Sequence, residues 1–400
     1  MTSRVITDPL VAYAARLHAA IGSGHHVASP LGAWMVLALL ARADDSDGQS
    51  AAAEQLAVAL GTDLDTAASM TDQLLASPHP ALRSAAVAWL EPTCETARMR
   101  AYLDALPIEN APMPTQEEAD AWASDHTDGM VKEFPIDLER VTALFTLATA
   151  LVTKVVWLTP LTEVPAAHLG PGPFADLLTR ALQAHASAHH RLTISDSAVG
   201  PVAVHEAMAD GLRVVSVSAD PAHSPADVLA AAHEIALEGA RPTDLHALPV
   251  GRGHSWLISE SRGPVKDPSG REARIPHATL PAWSASSSHD LVQLGSNLGF
   301  TAAGTMLRAL LDTAAVDVAA QTAVARFHAK GFEAAAVTAY AAARTGAPRL
   351  APEGIIRTVV LRFGHPYAVV AVATAPDGTD HAWDGIPAFS AWVEQPEEPA

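Results

Sequence analysis

Residues 328 to 354 constrain this chain more than any other stretch. They read His-Ala-Lys-Gly-Phe-Glu-Ala-Ala-Ala-Val-Thr-Ala-Tyr-Ala-Ala-Ala-Arg-Thr-Gly-Ala-Pro-Arg-Leu-Ala-Pro-Glu-Gly. Ala334 to Ala343 is small, weakly polar and made of good helix formers. It carries no strong apolar stripe of helical or strand period. Yet it stands between two strand-like runs, Ala320 to Phe327 and Ile355 to Arg362. Two readings are open. One is an Ala-rich helix or linker. The other is a mobile loop that can become a strand, because small side chains let a backbone enter closely between neighbours.

The other segments read more simply. Asp8-Pro9 opens an amphipathic helix that ends near Gly22, and Ser29-Pro30 opens a second, with Ser29 as N-cap and Pro30 at the first position. Leu31 to Leu40 is apolar on nearly all sides and predicts a central buried helix. Ser50 to Leu60 is a third helix, stopped by Gly61. Thr115 caps another, with Glu118 at capping-box spacing. Residues 84–90 read as a strand, and Thr142 to Leu158 as one buried on both faces. Val214 to Val217, Trp256 to Ser259, Thr279 to Ala285, Val369 to Ala373 and Phe389 to Val393 are strand-like, and Pro225 to Leu237 is helical. Asp290 to Leu298 predicts a helix closed by Gly299. The acidic, Pro-containing tail, 394–400, is expected to fray.

Charge and chemistry exclude several functions. The net charge is 25 − 44 = −19, which argues against nucleic acid or an anionic membrane as the main partner. Cys94 is the only cysteine, so no intramolecular disulfide forms. The apolar runs 27–41 and 142–158 are broken by Ser29-Pro30 and by Lys154, and neither reaches a membrane span. The N-terminus lacks the apolar core of a secretory signal. A soluble, cytoplasmic protein is expected, with an extracellular place requiring another export route. Asp44, Asp45 and Asp47 lack calcium-loop spacing and read as a solvated turn. His185 and His189 read as surface residues beside His190, since a metal site needs further ligands. No metal and no cofactor is expected. There is no phosphate-cradling Gly loop and no Gly-x-Ser-x-Gly elbow. A Ser/His/Asp triad stays open, because proximity is not legible here.

Separated segments, in order, resemble the serpin family. They are Val27-Ala28-Ser29-Pro30-Leu31 with Ala53-Glu54-Gln55-Leu56 and Gly61; Trp122 with Thr127-Asp128-Gly129; and Thr149 to Trp157, with Ala150 and Lys154. Leu280-Pro281-Ala282-Trp283, Ser288-His289-Asp290-Leu291 and Leu298-Gly299-Phe300 follow. Gly331-Phe332-Glu333-Ala334-Ala335-Ala336-Val337-Thr338 resembles the family's hinge. Phe363-Gly364-His365-Pro366-Tyr367 and Pro387 to Val393 resemble its closing motifs. The resemblance implies an α+β fold in one domain over 1–400: a large mixed β-sheet, smaller sheets, about nine helices, and an exposed reactive loop over 329–354.

It also implies a function: a serine-type endopeptidase inhibitor, not an enzyme, acting as a suicide substrate. A serine protease attacks the loop and forms an acyl-enzyme, and the cut loop inserts into the main sheet as a strand before hydrolysis completes. The partner is then a serine protease, and the protein a monomer. With Glu333 facing solvent, the inward side chains are Phe332, Ala334, Ala336, Thr338, Tyr340 and Ala342. About ten new ladder positions at roughly 0.5–1.5 kcal/mol each give a gain on the order of 10 kcal/mol. Counting along the hinge puts the scissile bond at Thr345-Gly346; Arg344-Thr345 suits a trypsin-like pocket better, and Arg349-Leu350 is a third candidate. Ser29, Thr149, Lys154, Trp157 and Gln321 form the expected sheet-opening region.

There are departures. Phe332 replaces a small residue and is expected to obstruct insertion, at about 1–3 kcal/mol of overpacking. Ala329, Lys330 and Ala282 remove a salt bridge expected at the loop's entry. The loop is long, with 363 − 331 = 32 positions from Gly331 to Phe363, roughly ten more than usual, which loop entropy tolerates. At the sheet centre, Thr149 stands for Asn, Gly32 for Ser and Gln321 for His. The alternative function is a non-inhibitory binding or carrier protein, cleaved without trapping the protease.

Overall fold

The computed structural model describes residues 2–43, 50–141, 143–265, 269–312, 318–332, 353–375 and 381–399. The acidic turn at Asp44, Asp45 and Asp47 lies outside them. Two compact units are each built from three segments: residues 1–153, 285–325 and 371–391, and residues 154–284, 326–370 and 392–400.

In chain order the helices are α1 Thr2–Ile21, α2 Pro30–Leu40, α3 Ala51–Leu60, α4 Leu64–Ala76, α5 Ala97–Asp104, α6 Gln116–His126, α7 Leu138–Val141, α8 Pro173–Leu177, α9 Pro225–Glu238 and α10 Phe300–Leu311. The first ten strands are β1 His26–Ala28, β2 Leu82–Leu90, β3 Glu109–Pro112, β4 Phe145–Thr153, β5 Val155–Val156, β6 Thr162–Pro165, β7 Arg180–His185, β8 His190–Ser195, β9 Val202–Ala209 and β10 Leu212–Ser218. The rest are β11 Gly251–Arg252, β12 Trp256–Pro264, β13 Arg271–Arg274, β14 His277–Leu280, β15 Trp283–Asp290, β16 Ala320–Phe327, β17 Gly331–Phe332, β18 Glu353–Arg362, β19 Tyr367–Ala373 and β20 Pro387–Val393. No described helix is long and apolar enough to cross a membrane.

The first unit is organised around α2. Ser29 Oγ accepts from Gly32 N at 3.1 Å, Pro30 fills the first turn, and all the helix but Val36 is buried. A helix apolar on every side has no solvent face to present, so it goes to the centre. Ser50 caps α3 and Gly61, at φ +74°, ends it. α6 carries the full capping box, Thr115 with Glu118, and packs Ala119 and Ala123 against Val87 and Trp89 of β2 and Ala148 of β4. β2 pairs antiparallel with β4 from Leu82↔Thr153 to Leu90↔Phe145, and β3 adds in parallel. β15 and β16 form a separate pair.

The second unit holds an antiparallel β8-β9-β10 ribbon and a seven-stranded sheet of order β11-β12-β18-β14-β7-β6, with β13 also on β18.

Some sequence expectations need correction. Thr142 to Leu158 is not one strand buried on both faces: β4 alternates buried and half-buried residues, and β5 follows after Lys154. Asp290 to Leu298 is not one helix: Asp290 ends β15, a turn follows, and Gly299 closes only the short 3-10 helix Ser296–Leu298 and also opens α10. Gly299 sits at φ +90°, and a Cβ there would lie 2.8 Å from Ala59 Cβ, so close approach to α3 requires the glycine. The tail does not fray at Glu397 and Glu398. Glu397 N donates to Ala282 O at 2.7 Å, and the Glu398 carboxylate accepts from Thr179 N at 2.6 Å and Arg180 N at 3.2 Å.

Candidate functional site: hinge and sheet opening

The hinge lies in the second unit. β16 ends at Phe327, and a tight turn reverses the chain, with His328 N donating to Gly331 O at 3.1 Å. β17 then pairs antiparallel with β5, Gly331↔Val156 and Phe332↔Val155. The incoming turn is held on its carbonyls. Trp157 N donates to Lys330 O at 3.0 Å, Leu161 N to Ala329 O at 2.8 Å, and the Trp157 indole N–H to His328 O at 3.0 Å. Phe332 is only 4% exposed. Its ring lies 6.5 Å from that of Trp157 and 6.3 Å, edge-on, from that of Trp283, which stacks at 6.3 Å on Phe327. In this state Phe332 rests against Trp157 and Trp283, with Phe327 packed on both tryptophans behind them. The signal was absent from the sequence because Trp157, Trp283 and Phe327 come from three distant segments.

The far end of the loop is strand, not loop. β18 pairs antiparallel with β12 from Trp256↔Leu361 to Pro264↔Glu353, and parallel with β13 from Arg271↔Ile355 to Arg274↔Thr358. Glu353 and Gly354, placed in the loop by sequence, belong to β18. A Cβ on Gly354 would collide with the Gly270 carbonyl, so glycine is needed where the β13 turn crosses. Residues 333–352 separate β17 from β18. Glu333, Ala334, Ala335, Ala336, Val337 and Thr338, and the scissile candidates Arg344, Thr345, Gly346, Arg349 and Leu350, lie outside the described residues.

The sheet-opening cluster lies in the first unit. Gln321 on β16 grips Ser29 twice, its Oε1 accepting from Ser29 N at 3.0 Å and its Nε2 donating to Ser29 O at 2.8 Å. Ser29 Oγ donates to Ala388 O at 2.9 Å, and Thr149 Oγ1 on β4 to Gly32 O at 3.2 Å. Ser29, Thr149 and Gln321 are thus brought to one helix start, whereas Lys154 and Trp157 take no part in these bonds. Among the described residues no ladder joins β4 to β16. Between them lies a cavity of about 170 Å³, lined by residues 145–152 and 318–324, with Trp122, Phe134 and Phe300 at its walls. A Cβ on Gly32 would stand 3.2 Å from Ser29 Oγ and 3.5 Å from Gln321 Nε2, so the glycine leaves room for the amide. Lys154 is exposed and Trp157 is 2% exposed.

One Ser–His–His relay exists. Ser390 Oγ is 2.6 Å from His18 Nε2, His18 Nδ1 is 2.9 Å from His26 Nε2, and His26 Nδ1 donates to Gly24 O at 2.8 Å. It has the order of a nucleophile, base and orienter, but Ser390 is 2% exposed and His18 1%, so the relay ties α1, β1 and β20 together instead of meeting a substrate. His185 is exposed and His189, read as a surface residue, is half-buried; the neighbouring His190 is buried. Among the described residues no three His, Cys, Asp or Glu side chains are grouped to hold a metal.

No family model and no curated protein matches the sequence. Solved structures do. Human glycosylated kallistatin matches at TM-score 0.61 and 14% identity, covering 99% of this chain and 98% of its own. Thyroxine-binding globulin in complex with thyroxine matches at TM-score 0.60 and 12% identity, covering 98% of each chain. Serpin48, a highly specific serpin of the insect Tenebrio molitor, matches at TM-score 0.57 and 13% identity, again over 98% of each. The chain has the serpin fold. Within that fold the hinge and sheet-opening residues named from sequence fall on two places, the β17 turn and the start of α2. The aromatic seat, the pairing of β18 with β12 and β13, and the cavity beside β4 add parts that no motif marked.

Proposed function

We propose that this serpin-fold protein is a serine-type endopeptidase inhibitor acting as a suicide substrate, with residues 333–352 as bait. The observation that carries the reading is the pair of unjoined strands, β4 and β16, with a cavity between them. Strand edges facing a cavity leave backbone donors and acceptors for a new strand to take. The hinge supports it. Gly331 and Phe332 are already turned antiparallel onto β5, which follows β4 after Lys154 alone. A strand begun at β17 and continued past Phe332 would place Ala334, Ala336 and Thr338 at its next inward positions. Small inward residues ask little of the layers above and below. The bait residue is Arg344 or Arg349 for a trypsin-like protease.

The test is a panel of serine proteases with denaturing gels. A stable covalent complex, the protease joined to the chain's N-terminal portion, is expected with at least one trypsin-like member. Cleavage in 338–350 with no complex, and no gain in melting temperature, would leave the non-inhibitory binding or carrier reading in its place.

A further inference from the structure

A buried histidine pair stands directly behind the segment that holds the hinge. His190 at the start of β8 and His205 in β9 are 1% and 0% exposed, and their rings stack at 5.2 Å with 20° between planes. The hydrogen bonds assign the protons. His190 Nε2 is 2.6 Å from Thr159 O, so it must be the N–H that donates there. In a neutral ring, Nδ1 of His190 is then an acceptor, and it takes the N–H of His205 Nε2 at 3.0 Å. His205 Nδ1 is left as a bare acceptor with no hydrogen-bond partner among the described residues.

This arrangement has no place for a further proton. A proton on His190 Nδ1 would point at the N–H of His205. Relief requires His205 to move its own proton to Nδ1, a buried atom facing no acceptor. Among the described residues the resulting cation meets no opposite charge. The titratable groups that face His190 are His189 and His185, neither of which can supply a negative charge. Glu206, the neighbouring residue in β9, points to the other face of the ribbon and pairs with Arg213, whose guanidinium also reaches Ala236 O of α9. Burial, the largest cause, with the neighbouring histidines, holds both rings below the usual histidine range, His205 well below it.

Thr159 belongs to the strip of chain that carries the hinge. On one side the strip joins the ribbon: Leu158 N donates to Met208 O at 3.0 Å, and Thr159 binds His190 through its carbonyl and His189 through its hydroxyl at 2.9 Å. On the other side Trp157 N and Leu161 N hold the carbonyls of Lys330 and Ala329. We propose that the His190–His205 pair is an acid-sensitive latch, which when neutral fixes Thr159 and so the hinge, and when protonated releases them. A charged ring gains by swinging towards water, and the swing removes its bond to Thr159. The latch governs hinge opening whether or not a protease is trapped, so its test does not depend on inhibition.

The sign follows from linkage. A histidine held low in the closed state binds its proton preferentially when opened, so the closed hinge loses stability as pH falls below about 6.5. Between pH 7.5 and 5.5 each histidine that takes up a proton shifts the opening equilibrium about tenfold. The experiment is amide hydrogen exchange at Trp157 and Leu161 at the two pH values, corrected for intrinsic rates, in the full chain. The wild type should open at least about tenfold more at pH 5.5, and H190Q/H205Q should lose that dependence. Persistence of the full pH effect in the double variant, or its absence in wild type, overturns the latch. Should the double variant not fold, ring nitrogen shifts of the wild type decide. Both rings as the Nε2–H tautomer at pH 7.5, charging together with hinge exchange, support it. Rings that titrate near 6.5 independently of the hinge refute it.

Discussion

Replacing Phe332 by Ala measures what seats the hinge. The side chain is 4% exposed among Trp157, Trp283 and Phe327, and a buried Phe→Ala change costs about 3–5 kcal/mol. β17 has only two residues, whose ladder bonds contribute about 1 kcal/mol each, so the ring supplies most of the attachment. The lower figure applies, because the vacated hinge is free to leave altogether. About 3 kcal/mol corresponds to roughly a hundredfold rise in the open population, at about 1.4 kcal/mol per factor of ten. Three amides report it site by site. Trp157 N and Leu161 N donate to hinge carbonyls, whereas Leu158 N donates to Met208 O in β9. In the Phe332→Ala protein, exchange at Trp157 and Leu161 should quicken about a hundredfold and Leu158 should not follow. Unchanged exchange at all three would refute the seat. Equal acceleration at all three, with a fall in melting temperature, would show that Phe332 belongs to the global core and not to a separable hinge.

Other outcomes follow from named contacts. Gln321→Ala removes both grips on Ser29 and should destabilise the protein by about 1–3 kcal/mol in urea unfolding; a change under a few tenths would mean the amide is replaced by water at no cost. Limited trypsin digestion should nick first at Arg344 or Arg349, and the double Ala variant should lose that nick; mass spectrometry locating the first cut elsewhere would count against the loop. Gly354→Ala should drive Gly270 and the β13 turn off β18, seen as new protease sensitivity between Glu353 and Arg357. Glu398 is held below the usual carboxylate range by the Thr179 backbone N–H, then by the Thr179 hydroxyl and the Arg180 backbone N–H. Its hold on the tail should therefore be present at neutral pH and be lost as pH falls through that lowered value, with Glu398→Gln removing the effect in carboxypeptidase release.

Much of the fold is local and was legible in the chain. Ser29-Pro30, Thr115 with Glu118, and Gly61 act within one turn of their own backbone, through a cap bond, a capping box and a positive φ. The strands at 320–327 and 355–362 were readable because a β-branched or apolar run between turn residues has few other uses. Distance in sequence hid the rest. Nothing in the sequence placed Phe332 against Trp157 and Trp283. Nothing near His190 in the sequence showed that β9 lays His205 on its face. Where the loop gives way to strand was set by β12 and β13, which pair with β18 from Glu353 and Ile355 onward. Gly299 closes one short helix and opens the next, and the Cβ of Ala59 is what bars a larger residue there. In each case the residue's own chemistry was plain from the start. What tertiary structure decided was the neighbour, because packing and burial depend on groups that no window of sequence contains.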